Sequence, residues 1–212
     1  MERRKTGPKM DLLEKLIYDN PSFHEWPDGS PANWAARPPV LRFMGSLLRP
    51  GMTTLETGAG QTTVVFAISG TSHYIITNQP HEPERIREYC RKNGIGGDLH
   101  FLLGGSDTVF ANNGVIPEAL DFVFIDGAHR FPFPAMDWHY TEGRLRIGAV
   151  LGIDDIDIPS VRMLHDFLSG EEEWDLIKVI GKTSFFKKTG IPDTTLDHQG
   201  QKFNKFKVPL IA

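Results

Sequence analysis

The sequence predicts a doubly wound α/β fold: a mixed seven-stranded sheet with helices on both faces and an antiparallel C-terminal strand. Three observations carry this expectation. From residue 53 onward, short β-like runs alternate with helical patterns. The run LDFVFIDG (120–127) is almost wholly apolar up to its acid, as a strand covered on both faces must be. The last two strand-like runs, WDLIKVIG and TSFFKKT, follow one another across Gly181 with no helix between them. Alternation demands a parallel sheet, because right-handed crossovers place the helices on its faces. A tight turn between the final two strands then supplies an antiparallel edge.

Each element follows from its local pattern. Leu12, Leu13, Leu16 and Ile17 are spaced for a short amphipathic helix over residues 10–18. The stretch NPSFHEWPDGSPANWAARPP is too rich in Pro, Gly and Trp for a long regular element. PPVLRFMGSLLRPGM reads as a helix stopped by Pro50-Gly51. TTLET (53–57) is a strand, with TTVVFAIS opening a helix behind it, and SHYIITN (72–78) is the next strand. HEPERIREYCRKNG is a helix stopped by Gly94. LHFLLG (99–104) is a strand before a short helical or loop piece containing ANNG. After 120–127 come a helix over PFPAMDWHYTEGRLR, a strand at GAVLGIDD (148–155) and a helix at SVRMLHDFLSG. The whole chain, 1–212, is expected as one domain: a helical, lid-forming segment over 1–50, the sheet core over 51–188, and an extended tail over 189–212.

Bulk properties narrow the function. A chain of 212 residues suits one domain with a sizeable core. With 24% charged residues and a net charge of −4, nothing points to nucleic acid or an anionic membrane as partner. The single cysteine, Cys90, excludes an intramolecular disulfide and suits a reducing compartment. No apolar run approaches the ~18 residues of a membrane span, and the basic MERRKTGPKM is followed by an acid-bearing amphipathic stretch rather than a signal sequence. The expectation is a cytoplasmic protein, and a homo-oligomer is compatible with it.

In such a sheet the ligand lies beyond the carboxyl ends of the strands, at the point where strand order reverses. The residues there are Glu56-Thr57-Gly58, Asn78-Gln79, Asp126-Gly127-Ala128-His129 and Asp154-Asp155. Gly58 and Gly60 permit a tight turn and close approach of a ligand to backbone. A dinucleotide fingerprint would want a third glycine where Thr63 stands, and a pyrophosphate would be repelled by Glu56. A carboxylate there suits a cationic or hydroxyl-bearing ligand better.

LETGAGQTTVVFA resembles motif I, E/D-x-G-x-G, of the class I S-adenosylmethionine-dependent methyltransferases. With FIDGAH and GAVLGIDD in order, residues 38–188 are similar to a subgroup that includes O-methyltransferases. The resemblance implies a Rossmann-like core and cofactor contacts at Glu56, Thr57, Gly58, Gly60 and Thr62, with the acid beside the methionine portion. It also implies an acid after the second core strand to hold the ribose. Here Asn78 and Gln79 stand instead, with Glu82 as a substitute. Ser106 and Asp107 match the region that contacts adenine, or serve as an ordinary helix start.

Asp126, Asp154 and Asp155 end adjacent strands, and three close carboxylates need a cation or protons. An oxygen-rich set of this kind suits Mg²⁺ or another hard divalent ion. The pattern is similar to the metal-dependent O-methyltransferases of the catechol and macrolide-sugar types, which implies Asp126, Asp154 and Asp155 as metal ligands and His129 as the base. Each residue also has a plainer role: Asp126 and Asp155 as caps, His129 at the rim, Trp26 and Trp34 as anchors rather than a lid, Trp138 and His139 as packing.

The expected activity is methyl transfer from S-adenosylmethionine to a small-molecule hydroxyl, with His129 and Asp126 catalytic and a divalent cation assisting. Two rivals are an NAD(P)-dependent oxidoreductase on the same sheet and a non-catalytic cofactor-binding partner subunit.

Overall fold

The computed structural model describes residues 11–112, 114–192, 195, 197 and 201–205. Helix α1 (Leu12–Asp19) is followed by two short strands, β1 (His24–Glu25) and β2 (Pro31–Ala32), which pair antiparallel within the Pro- and Trp-rich stretch. Helix α2 (Pro38–Leu47) begins on its two prolines, whose missing N–H groups cost nothing in a first turn. The alternation then runs β3 (Thr53–Thr57), α3 (Gln61–Ile68), β4 (Ser72–Thr77), α4 (Glu82–Lys92), β5 (Asp98–Leu103), α5 (Ser106–Ala111), β6 (Leu120–Ile125), α6 (Phe133–Glu142), β7 (Leu145–Ile153) and α7 (Pro159–Gly170). Strands β8 (Trp174–Ile180) and β9 (Thr183–Lys188) close the fold.

The large sheet has the order β5-β4-β3-β6-β7-β9-β8. It is the mixed seven-stranded sheet that the alternation predicts. Its antiparallel element sits differently from a simple edge hairpin: β9 inserts between β7 and β8 and runs antiparallel to both. The chain overshoots to the edge with β8 and turns back at Gly181 (φ +62°) to fill the gap. Buried Phe185 and Phe186 on β9 are what reward that position, since a strand with both faces apolar belongs inside a sheet.

Helices α1 to α4 pack on one face around Leu16, Leu41, Met44, Val64 and Ile86. The other face is covered by α5, α6 and α7, through Val109, Phe110, Val161, Leu164 and Leu168, with Trp138 on α6 beside them. Trp138 meets Phe167 edge-on at 5.2 Å, and His139 packs on Tyr140; both residues pack. Where the tail is described it is docked rather than extended. Residues Lys202–Lys205 form a 3₁₀ turn, and the Phe203 ring meets Phe167 of α7 at 5.5 Å. The remainder of the expected tail, and Asn113 of the ANNG piece, lie outside the described residues. No helix among the described residues is long and apolar enough to cross a membrane.

The strand order reverses between β3 and β6: β3 connects through α3 to β4 on one side, while β6 pairs on the other. Thr57, the last residue of β3, sits level with Ile76 of β4 and Ile125 of β6. The polar residues that follow these positions therefore emerge together at one rim.

Candidate active site

A cleft of ≈ 970 Å³ opens at that rim, beyond the carboxyl ends of β3, β4 and β6. Its floor is the turn between β3 and α3. Gly58 has φ +86°, and a Cβ there would lie 2.9 Å from the Asp126 carbonyl carbon and nearer still to its oxygen. Only glycine fits. The Gly58 N–H donates to the Ile76 carbonyl (2.9 Å), and the Asp126 N–H donates to the Thr57 carbonyl (3.0 Å), tying the turn to both neighbouring strands. Gly60 precedes α3, and its N–H donates to Thr63 Oγ1 at 3.0 Å. Thr63 therefore caps the helix, which accounts for a hydroxyl where a dinucleotide turn would carry glycine.

Glu56 does not reach the cleft. Strand alternation turns it with Thr54 toward α3, where it is 1% exposed. Its carboxylate accepts from Thr62 Oγ1 (2.8 Å) and from Thr63 Oγ1, and lies 3.2 Å from His73 Nε2. His73 is itself held by Thr54 (2.8 Å) and stacked on Phe66 at 3.9 Å. The motif acid thus fixes the first turn of α3 from behind. Thr62 spends its hydroxyl on Glu56 while still lining the cleft.

Asn78 and Gln79 line the cleft beyond β4, and Ser106 and Asp107 line it at the start of α5. Glu82 lines it too, but both its oxygens are engaged: Oε1 with His24 Nδ1 (2.7 Å) and Oε2 with Thr77 Oγ1 (2.5 Å). His24 brings the N-terminal segment over the turn, stacks on Trp34 at 5.0 Å, and would meet a Cβ on Gly60 at 3.2 Å. Trp34 lines the cleft; Trp26 packs edge-on against it at 5.3 Å as its support.

The opposite end of the cleft holds Asp126, His129 and Asp155. His129 Nε2 lies 3.4 Å from Asp126 Oδ1 and 3.3 Å from Asp155 Oδ2. Asp155 adopts a left-handed backbone, φ +58°, which is uncommon outside glycine and least costly for Asp and Asn. Its other oxygen accepts from Lys182 Nζ at the β8–β9 turn. Asp154 is not part of this cluster. It is 3% exposed, and its carboxylate accepts from Thr183 Oγ1 of β9 at 2.5 Å. The insertion of β9 beside β7 is what captures it. The triad of Asp126, Asp154 and Asp155 is therefore corrected to Asp126, His129 and Asp155, whose donor atoms lie within 4.8 Å of one another.

Burial lifts Asp126 to about 7, with His129 working against this and the charges of Asp154 and Asp155 adding to it. The Asp126 carboxylate raises His129 above its ordinary value against a desolvation cost, and Asp155 and Asp154 add to the rise, although Nε2 makes no hydrogen bond of good geometry. Burial works to lower Lys182, but Asp155, with Asp154 and Asp126 beyond it, carries the ammonium above its usual value. The arrangement is a proton-holding imidazole between two carboxylates, one of which already has a lysine counter-charge.

Residues 55–156 match the methyltransferase domain family. Those residues make up a methyltransferase domain. Among solved structures, the O-methyltransferase TomG from Streptomyces achromogenes, involved in tomaymycin synthesis and in complex with S-adenosylmethionine, is similar at 17% identity and a TM-score of 0.64. The similarity covers 88% of this chain and 93% of that one. Cofactor-bound Rv0187 from MTB is similar at 15% identity and a TM-score of 0.63, over 83% and 87% of the two chains. An O-methyltransferase from Bacillus cereus in complex with S-adenosylhomocysteine shares 16% identity and a TM-score of 0.60, over 87% and 94%. A search of curated proteins returns no match by sequence. The family assignment runs against the oxidoreductase reading, as the missing third glycine does.

One methyltransferase residue that sequence reasoning passed over is Asp137 on α6. It is fully buried, and no hydrogen bond of good geometry reaches either carboxylate oxygen. Burial lifts it to about 6, while the nearby Ser106 and Thr57 hydroxyls favour its charged form. Thr57 Oγ1 is likewise buried and unpartnered. The signal was a lone acid among Phe133, Pro134, Ala135, Met136 and Trp138. Because its folded value lies above that of an unfolded aspartate, ionising Asp137 opposes folding. The penalty is absent well below pH 4, grows between about pH 4 and 6, and is full above that. Asp137→Asn is expected to stabilise the methyltransferase at pH 8 by on the order of 2 kcal/mol, and by progressively less as the pH falls below 6. Urea melts of both proteins from pH 4.5 to 8 check this; a constant difference across that range contradicts it.

Proposed function

We propose that the protein transfers the methyl group of S-adenosylmethionine to a hydroxyl of a small molecule. The observation that carries the reading is that one cleft contains both the Gly58–Gly60 turn and the Asp126–His129–Asp155 cluster. The cofactor would be held along the turn, by backbone of Gly58 and Gly60 and the start of α3 at its amino-acid end, by Asn78 and Gln79 at the ribose, and by Ser106 with Asp107 at the adenine, all of which line the cleft. An amide can bond a ribose hydroxyl, as a carboxylate would more strongly. The His24–Trp34 stack lies over the turn.

At the acceptor end, the two carboxylates favour the tautomer that carries its proton on Nε2, which leaves Nδ1 to take the acceptor's proton. Among the described residues no hydrogen bond engages Nδ1. The oxyanion then attacks the sulfonium methyl in line, and the cleft supplies the positioning. Bond formation to the acceptor oxygen accompanies cleavage of the sulfur–methyl bond, and the neutral thioether leaves.

The donor set of Asp126, His129 and Asp155 also fits one divalent cation, with two oxygens and one nitrogen. When bound there, such an ion would supply Lewis acidity to the acceptor hydroxyl. In that second reading Nε2 is a ligand, and Lys182 orients Asp155 through its other oxygen.

The test is direct. S-adenosylhomocysteine should raise the melting temperature where NAD does not, and incubation with S-adenosylmethionine and a hydroxyl panel should yield S-adenosylhomocysteine and a methylated product. Loss of turnover on chelation, restored by Mg²⁺ or Mn²⁺, favours the second reading. Failure of S-adenosylhomocysteine to bind overturns both.

A further inference from the structure

The charged groups along the cleft sort into those already paired and those left over. Glu82 is paired with His24, Lys182 with Asp155, and His129 lies between Asp126 and Asp155. Arg37 and Arg130 also line the cleft, and among the described residues neither meets a carboxylate. Four arginines elsewhere on the surface pair with a carboxylate, Arg42 with Glu14, Arg85 with Glu25, Arg146 with Asp121 and Arg162 with Asp166, while Arg49 and Arg144 bond backbone carbonyls and Arg87 rests over Phe101. The protein as a whole carries a net charge of −4, so two unpaired cations at one rim do not follow from bulk composition.

Both residues are exposed, and each has one neighbour that helps to place its guanidinium. Arg37, at the start of α2, brings its guanidinium to 3.6 Å from the Cβ position of Gly181, next to Lys182. Arg130 directly follows His129 and rests its guanidinium over the Phe133 ring, 5.5 Å from the centroid. Phe133 also lines the cleft. The two arginines thus enter from separate segments, one before α2 and one between β6 and α6. Arg130 is the sequence neighbour of His129, and Arg37 lies by the turn that carries Lys182, the partner of Asp155.

We propose that the acceptor is a carboxylate-bearing hydroxyl compound whose anionic group is held by Arg37 and Arg130. This rests on the hydroxyl-methylation reading above. A planar guanidinium offers two parallel N–H donors to a carboxylate, so the pair both attracts and orients the acceptor. Phe133 and Trp34 offer apolar faces to its body. The rival source of the same chemistry is the cofactor's own amino-acid carboxylate, and the experiment separates the two.

Calorimetric titration of the S-adenosylhomocysteine-loaded protein would use 3,4-dihydroxybenzoate, benzoate and catechol as probes. The two carboxylates should bind about tenfold or more tightly than neutral catechol. Arg37→Gln and Arg130→Gln should each erase most of that preference while leaving S-adenosylhomocysteine affinity within about twofold, and their melting curves report that the fold is kept. Equal binding of catechol and dihydroxybenzoate, or no binding of either carboxylate, overturns the proposal. So does a fall in S-adenosylhomocysteine affinity in both variants, which assigns the arginines to the cofactor. Turnover is read separately. Carboxylate binding without methyl transfer to any hydroxyl refutes the methylation reading and leaves the anion site standing; methylation of catechol with no preference for the carboxylate does the reverse.

Discussion

Replacing His129 with Gln should lower methyl transfer by about 10²–10⁴-fold while S-adenosylhomocysteine still binds as tightly as before. The imidazole stands at the acceptor end of the cleft, and glutamine keeps a polar group between Asp126 and Asp155 without a basic nitrogen. The pH dependence carries the sharper part of this prediction. His129 serves as base only when neutral, and the Asp126 carboxylate beside its ring raises it above the ordinary histidine value. Activity should therefore be present at alkaline pH and fall as the pH drops through a value above 6.5. Asp126 lies near 7 beside it, so the two titrate as a pair, and the profile reports the pair rather than either residue. Asp126→Asn removes the strongest influence holding the proton on His129, so the inflection should move to lower pH as the maximum rate falls. Rate profiles from pH 5.5 to 9 for wild type, His129→Gln and Asp126→Asn decide the matter. A His129→Gln enzyme with an unchanged maximum removes the histidine from the chemistry.

Sequence carried the fold well because its signals were periodic and local. LDFVFIDG had to be a covered strand, and β6 has buried residues on both faces, Phe122 and Phe124 on one and Val123 and Ile125 on the other. Glycine positions were equally legible, since a turn that brings β3 against the end of β6 leaves Gly58 no room for a side chain. What sequence could not show was direction. Glu56 sits in the motif, yet strand parity sends its carboxylate to α3, and the identities of Thr62 and Thr63 suggest this only once the helix start is known. Asp154 and Asp155 are adjacent acids, but one is drawn to Thr183 and the other to Lys182, both supplied by a turn some 27 residues on in the chain. That division depends on β9 inserting beside β7, a long-range pairing with no local mark. Asp137 was missed for the same reason: its importance lies in the missing partners of a buried carboxylate, a property of packing.

Gly58→Ala should abolish measurable S-adenosylhomocysteine binding and lower the melting temperature by roughly 10 °C. Two effects add. At φ +86° any side chain strains the backbone, by about 1–2 kcal/mol. A methyl group would also lie against the Asp126 carbonyl, 2.9 Å from its carbon. That carbonyl cannot retreat cheaply, because the Asp126 N–H is bonded to Thr57 at 3.0 Å and the strand behind it is buried. A total near 3–4 kcal/mol corresponds to a shift of about 10 °C for a chain of this size. Gly60→Ala provides the contrast. Its φ of 175° is open to any residue, and the nearest obstacle to a Cβ is His24 Nε2 at 3.2 Å, the tip of a side chain. It should cost little stability and weaken cofactor binding by displacing His24, so adding His24→Ala in the same chain should weaken binding little further. No second substitution should rescue Gly58→Ala, since its obstacle is backbone. A cycle of melting curves and S-adenosylhomocysteine titrations on the single and double variants tests both statements. A Gly58→Ala protein that binds with near wild-type affinity would mean that the turn does not cradle the cofactor.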